Sequence, residues 1–481
     1  MKILLSIENL NLTHEPKVLP ANLSFQLNQG EHIYITGPSG SGKSTLLQIL
    51  GGDKYSFTGE ISHNFIGKTE TGIYSLQKQA AFVFFQHQQI NYGNYYYQQR
   101  YYSTEVEGTF TVNDFLFGQS NTEFNDLVTR YFQEFEIEHL LEKEFIKLSN
   151  GETRKALIAK ALLKNPKLLA LDDPYLGIDT AGRATLNSLV DYIAGQGIQV
   201  ILTGNEKKLP GCITHYLKLN RENGYDFGPI SGLTHHNEYK INNLPELSLK
   251  SPKASFKTAF QFKQLCVRYG ETIILDNLDW TVLQGEKWTL TGANGSGKSM
   301  LLSLLFADHP QAYANEIILF DKPRGQGETI WEIKDMAGYV SPEMHFYFNR
   351  GLAVTEVLQS VLYENPYNPQ KLERFHNQFI ERMLSYYNKE HILLLRFGEL
   401  STSEQRLVLF LRTILKNTPV LLLDEPFQGF DEEMIEKSKK LLNVFCQDRT
   451  LVLITHHESE IPAIISKFAN LAHGKLTFQY R

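Results

Sequence analysis

Two kinds of apolar pattern recur along the chain. Segments such as ILLSIENLNL (3–12) alternate apolar with polar positions, which predicts half-buried strands. KLLALDDP (167–174) and PVLLLDEP (419–426) are instead continuous aliphatic runs that end in acids. Such runs suit strands buried on both faces of a parallel sheet. Between the two kinds, IYITGPSGSGKSTLL (33–47) and WTLTGANGSGKSMLL (288–302) each pass from a strand-like run through a glycine-rich turn into a helical stretch. That order predicts an α/β fold with a largely parallel core sheet.

The pattern occurs twice. Residues 10–37 lie without gaps on 265–292, an offset of 255, and residues 148–179 lie without gaps on 400–431, an offset of 252. The chain is a tandem duplication, with one domain expected over 1–225 and a second over 259–481. The stretch between them, 226–258, is rich in Gly, Pro, Ser and Asn without a sustained helical period, and reads as a linker.

Composition narrows the class. With 481 residues and 42% hydrophobic content, the chain can form at least two ordinary cores. A net charge of -6 gives no overall basic field for binding nucleic acid along its phosphates. Cys212, Cys266 and Cys446 lie far apart and suggest neither a disulfide framework nor a zinc site, which fits a reducing cytoplasm. No apolar run approaches the roughly 18 residues of a membrane span, so service to a membrane would run through a partner, with the chain peripheral on its inner face.

The chemistry is concentrated in the glycine turns. Gly37, Pro38, Ser39, Gly40, Ser41, Gly42, Lys43, Ser44 and Thr45 contain the spacing GxxxxGK[ST]. So do Gly292, Ala293, Asn294, Gly295, Ser296, Gly297, Lys298, Ser299 and Met300. Glycines let backbone N–H groups curl around phosphate oxygens, the lysine adds a point charge, and Ser44 or Ser299 offers a hydroxyl to Mg²⁺. Asp172 and Asp424, at the ends of aliphatic strands, suit carboxylates that help to hold the metal. The next residues, Asp173 and Glu425, are the candidate bases for attack of water on the γ-phosphate.

Taken with LSNGE (148–152), LSTSE (400–404), the further aspartates Asp179 and Asp431, and the closing THH (455–457), these motifs resemble the ATP-binding cassette (ABC) family across both halves. The resemblance implies two P-loop cassettes, each a RecA-like core with a helical and an antiparallel β subdomain. It also implies ATP and Mg²⁺ as cofactors, and a head-to-tail pairing in which each P-loop faces the signature motif of the other copy. The family's signature is LSGGQ. Ser149 and Gly151 match it in the first copy, whereas the second keeps Ser401 but neither glycine. The family's adenine-stacking aromatic falls on Tyr269, with His14 opposite it in the first copy, and its metal-side glutamine falls on Gln86, with Glu343 in the second.

The copies are unequal. VILTGNE (200–206) laid on VLITHHE (452–458) puts Gly204 opposite His456. With Lys298, Glu425 and His456 the second site is expected to hydrolyse ATP. The first, with the shorter Asp173 and the borrowed LSTSE, is expected to bind it with slow or no turnover. The short linker and the SPE triplet (341–343) resemble tandem cassettes of the molybdate-uptake and photorepair type (ModF and PhrA), which implies transmembrane permease partners. A ribosome- or nucleic-acid-acting ATPase is the alternative, although that class carries a long, charged, helical linker. A tyrosine-crowded stretch, Tyr92 to Tyr102, suits an interface.

Overall fold

The computed structural model describes residues 2–480 except 14–18, 53–55, 67–72, 86–109, 119–125, 136, 146–147, 149, 179, 221–223, 235–242, 248, 250–251, 253–255, 270–271, 307–309, 343, 366 and 368–369. It divides into two compact units, Met1–Asn237 and Glu238–Arg481.

In the first unit β1 (Ile3–Leu12) and β2 (Leu23–Asn28) precede β3 (Ile33–Thr36), the glycine loop and α1 (Lys43–Leu50). Next come β4 (Phe57–His63), α2 (Ile73–Gln79) and β5 (Ala80–Phe84), then α3 (Val112–Phe117), α4 (Asp126–Glu134) and α5 (Asn150–Leu162). β6 (Leu168–Asp172), α6 (Thr180–Gly195), β7 (Gln199–Thr203), β8 (His215–Leu219) and β9 (Tyr225–Pro229) complete it.

The second unit repeats the plan. β10 (Thr258–Tyr269), β11 (Thr272–Leu283), β12 (Lys287–Thr291) and α7 (Lys298–Leu305) are followed by β13 (Glu316–Leu319), β14 (Lys322–Pro323), α8 (Ile330–Met336) and β15 (Ala337–Val340). Helices α9 (Met344–Tyr347), α10 (Val354–Gln359), α11 (Arg374–Tyr386) and α12 (Thr402–Leu415) come next. β16 (Val420–Asp424), α13 (Glu432–Phe445), β17 (Thr450–Ile454), β18 (Lys467–Ala472) and β19 (Lys475–Tyr480) end it.

Among the described residues each unit builds a six-stranded sheet, ordered β5-β6-β7-β3-β8-β9 and β15-β16-β17-β12-β18-β19. All pairs are parallel except the last in each, which is an antiparallel hairpin. β6, β7, β16 and β17 are buried at every position, as the aliphatic runs of β6 and β16 predict for those two. Because β3 lies between β7 and β8, and β6 beside β7, the carboxyl ends of β3, β6 and β7 are neighbours; the same holds for β12, β16 and β17. Ligands of open α/β sheets bind at such ends. Smaller antiparallel sheets, β2-β1-β4 and β11-β10-β13-β14, accompany the large ones.

The stretch read as a linker is partly built into the units. β9 runs to Pro229 in the first unit's sheet, so that unit extends past residue 225. Further on, Leu244, Leu247 and Leu249 pack against the second unit's core, and Arg382 Nη1 donates to the Glu246 carbonyl at 3.4 Å.

In the second unit LSTSE works as a helix cap. Ser401 caps α12, and Glu404, three residues on, accepts a hydrogen bond from the Ser401 amide at 3.1 Å. Glu404 is buried, and Lys389 Nζ reaches its carboxylate at 2.5 Å. Burial opposes ionisation of Glu404, but Lys389 and Ser401 outweigh it and hold the carboxyl below its ordinary 4.5. Glu364 is lowered in the same way, burial being outweighed by Lys416 and Arg412. A depressed carboxyl pKa contributes stability that is present above the unfolded value and lost as pH falls through the folded one. We therefore expect the melting temperature to fall steeply as pH drops below about 4.5. Glu404→Gln, which leaves the Lys389 ammonium buried without its carboxylate, should cost about 3–5 kcal/mol at neutral pH. Melting curves of the two chains across that range test both points, and superimposable curves would refute the role given to the pair.

Candidate nucleotide sites

Each glycine loop is pressed against the end of a neighbouring strand. A β-carbon on Gly37 would stand 2.3 Å from the Leu219 carbonyl oxygen at the end of β8, and one on Gly292 would stand 2.3 Å from that of Leu471 in β18. Both residues have positive φ, 145° and 147°, so sterics and dihedral each demand glycine. Lys43 Nζ bends back onto its own loop, donating to Gly37 O at 2.7 Å and Pro38 O at 3.2 Å. Lys298 does the same to Gly292 O at 2.9 Å and Ala293 O at 2.8 Å. Ser41 Oγ and Ser296 Oγ are buried without a hydrogen-bond partner among the described residues. Phosphate oxygens entering the loop would give the lysines and these hydroxyls their natural partners. Ser44 and Ser299 follow in the first turns of α1 and α7.

The strand-end carboxylates lie beside the loops. Asp172 is buried, its Oδ1 accepting from Thr203 Oγ1 at 2.7 Å, while Oδ2 is buried with no partner among the described residues. An unpaired buried carboxylate oxygen at this place fits a divalent cation, which prefers hard oxygen donors. Asp424 is its buried counterpart at the end of β16. Asp173 and Glu425 come next, both in the left-handed region with φ of 51° and 43°. The Asp173 amide donates to Thr203 Oγ1 at 2.9 Å and the Glu425 amide to Ile454 O at 3.0 Å, which pins each acid to the adjacent strand.

Around these two acids the units diverge. In the second, His456 Nε2 stands 2.9 Å from Glu425 Oε1, and Gln428 Nε2 donates to Oε2 at 3.0 Å. Burial pushes the Glu425 pKa up, but His456, Lys298 and Arg406 prevail and hold it below the usual carboxylate value. In the first unit burial, together with the adjacent Asp172 and with Glu206, pushes Asp173 up to about 6 against the pull of Lys43 and Arg154. The residue at Gln428's position is Leu176, which has no side-chain donor. Arg406 donates to the Gln428 carbonyl at 2.9 Å, and Arg154 makes the same contact with Leu176.

A family model described as ABC transporter matches residues 20–176 and again 275–428. The chain belongs to the ABC transporter family. It is an ATPase made of two tandem cassettes. An uncharacterized ABC transporter ATP-binding protein of Schizosaccharomyces pombe is 31% identical over 95% of this chain and 95% of its own length. The ABC transporter ATP-binding protein ModF of Escherichia coli is 30% identical over 92% and 91%. Among solved structures, a model of ribosome-bound archaeal Pelota and ABCE1 matches at TM-score 0.59 with 17% identity, covering 96% of this chain and 76% of that one. At that identity the match shows the fold alone.

Strand register corrects the sequence reading of the histidine loop. Asp172 and Asp424 correspond at an offset of 252, yet Leu168 pairs with Gln199 whereas Val420 pairs with Thr450. On the other side Ile33 pairs with Ile201 and Trp288 with Val452. The Gln199 amide bonds to Lys167 O and the Thr450 amide to Pro419 O, both at 2.9 Å. Gln199 is thus the counterpart of Thr450, an offset of 251, and Asn205 rather than Gly204 stands opposite His456. The connection into β17 is one residue shorter than that into β7, and the following loop is one longer. The offset returns to 252 at Pro210 and Pro462, whose carbonyls accept from Ile213 and Ile465. The first cassette still lacks the imidazole. The Asn205 amide lies against the P-loop instead, 3.1 Å from Thr36 Oγ1, with its nitrogen placed to donate to Gly37 O at 2.9 Å.

Other expected residues are placed less fully. Ser401 Oγ is engaged within its own cap, donating to Glu404 Oε2 at 2.7 Å and lying 3.2 Å from Ser403 Oγ. Gly151 sits in the first turn of α5 with open space where a side chain would project. Tyr269 ends β10. Ser149, Gln86, His14, Asp179, Glu343 and the tyrosine-rich stretch 92–102 lie outside the described residues. Gln428, which motif spacing did not single out, is the added member of the second site.

Gly292→Ala forces the loop off the Leu471 carbonyl and should weaken binding of a fluorescent ATP analogue at the second site by about tenfold or more, or 1.4 kcal/mol. Gly195→Ala, where a β-carbon meets open space at a helix end, serves as the comparison. Equal affinity in the two variants would show that the loop is not held by this contact.

Proposed function

We propose that the chain is the ATPase component of a transport system, with one cassette site that turns over and one that chiefly holds nucleotide. The observation that carries the division is the Glu425 carboxylate, with His456 Nε2 at 2.9 Å from one oxygen and Gln428 donating to the other. A base fixed in this way can orient attacking water, and a mispositioned one typically loses about 10²- to 10⁴-fold in rate. Asp173 is shorter by one methylene, with Leu176 and Asn205 where the second unit has Gln428 and His456.

In this reading Ser44 with Asp172, and Ser299 with Asp424, hold Mg²⁺ alongside the bound nucleotide, and the metal supplies charge to the γ-phosphate when present. The pairing implied by the family resemblance sets LSNGE against the second P-loop and LSTSE against the first.

The transport role rests on likeness to ModF over nearly the whole chain, together with a connector whose Gly-, Pro-, Ser- and Asn-rich sequence does not read as the long charged helix expected of a ribosome-acting relative. No helix among the described residues is long and apolar enough to cross a membrane, so separate permease subunits would supply the channel.

Glu425→Gln should abolish nearly all ATP turnover while Asp173→Asn leaves most of it; the reverse ranking would overturn the division. For the transport role, affinity purification from membranes and from ribosomes in parallel is decisive. Recovery of turnover with membranes is expected, and recovery with ribosomes alone would reject it.

A further inference from the structure

The first cassette carries a large residue in its core where the second carries a small one. Tyr34 and Thr289 hold the same place on the central strands: Tyr34 pairs with Tyr216 in β8, and Thr289 with Phe468 in β18. Both are fully buried. Thr289 Oγ1 is satisfied locally, donating to the Leu453 carbonyl at 3.1 Å. The Tyr34 phenol reaches further, and its oxygen accepts from the Glu206 amide in the loop after β7.

That loop is the one that is a residue shorter than its counterpart. Glu206 is anchored a second time, through an ion pair with Arg183 Nη1 at 2.5 Å. At Gly204, a β-carbon would lie 3.3 Å from the Tyr34 oxygen and 3.6 Å from Asp173 Oδ1, so the phenol and the carboxylate flank one point. A phenol buried among such groups has to spend its polar tip on the loop, because an unpaired hydroxyl in a core is costly. The shortened loop, supported from beneath, then carries Asn205 onto Thr36 and Gly37 of the P-loop. In the second cassette the longer loop carries His456 onto Glu425.

We propose that Tyr34 is a positioning residue of the first nucleotide site: it supports the shortened loop, directs Asn205 to the P-loop, and occupies space that a histidine-bearing loop would need. The two sites therefore differ in core residue and loop together. The proposal rests on the reading of the first site as the slow one.

The test uses the full chain with Glu425→Gln, so that residual turnover reports the first site. Three further chains carry Tyr34→Thr, replacement of 203–209 by the sequence of 454–461, or both. The loop replacement alone should lower the melting temperature by about 4 °C or more. Adding Tyr34→Thr should recover at least half of that loss and raise turnover by about tenfold or more over the loop replacement alone. Tyr34→Phe in the same role should recover neither, because the ring remains. Melting changes that simply add, or turnover that responds to the loop equally with and without Tyr34→Thr, overturn the proposal. Failure of the underlying reading shows separately, as full turnover surviving Glu425→Gln, and in that case the melting cycle still judges Tyr34.

Discussion

The hydrogen-bond ladder of the central parallel sheet is the constraint on which both nucleotide sites depend. Carbonyls and amides of β6, β7 and β3, and of β16, β17 and β12, set in steps of whole residues where each functional side chain leaves its strand. A slip of one residue in a strand turns every side chain to the opposite face. The duplicated cassettes have kept the ladder and let the connections around β7 and β17 change length, so the sheets agree while the loops beyond them differ.

From that common frame, electrostatics leads to opposite results. The acid after each strand-end aspartate is partly buried in both cassettes, which alone would disfavour its charge. Around Glu425 the imidazole of His456, the Lys298 ammonium and the Arg406 guanidinium reverse that tendency. Around Asp173 the neighbouring Asp172 and Glu206 reinforce it. A single backbone geometry thus supports a firmly ionised carboxylate in one unit and a reluctantly ionised one in the other. The difference comes from what surrounds the acid more than from the acid itself.

Much of this was legible in the chain. The P-loops could be read because glycine spacing encodes backbone conformation directly, and the close approach of Gly37 to Leu219 and of Gly292 to Leu471 leaves no room for a side chain at the first position. The parallel sheet could be read because LLALD and VLLLD have no polar face to turn outward. The histidine loop was misplaced by one residue, since a shortening and a lengthening cancel in an ungapped alignment and only strand pairing separates them. Gln428 on Glu425, Lys389 on Glu404 and Tyr34 on Glu206 were hidden for another reason. Each joins residues whose meeting is decided by packing, and Gln, Lys and Tyr carry no positional signature of their own. The connector looked like a free tether because its composition is loop-like, yet three spaced leucines were enough to fasten part of it to the second core.

The buried hydroxyls of Ser41 and Ser296 have a thermodynamic meaning beyond the contacts they offer. A buried donor without a partner costs about 1–3 kcal/mol, and among the described residues neither hydroxyl has one. Phosphate oxygens of a bound nucleotide would give each hydroxyl a partner, so nucleotide binding and the packing of each loop are coupled. A nucleotide that satisfies them would stabilise the packed cassette by mass action, the more so the further its concentration exceeds its Kd.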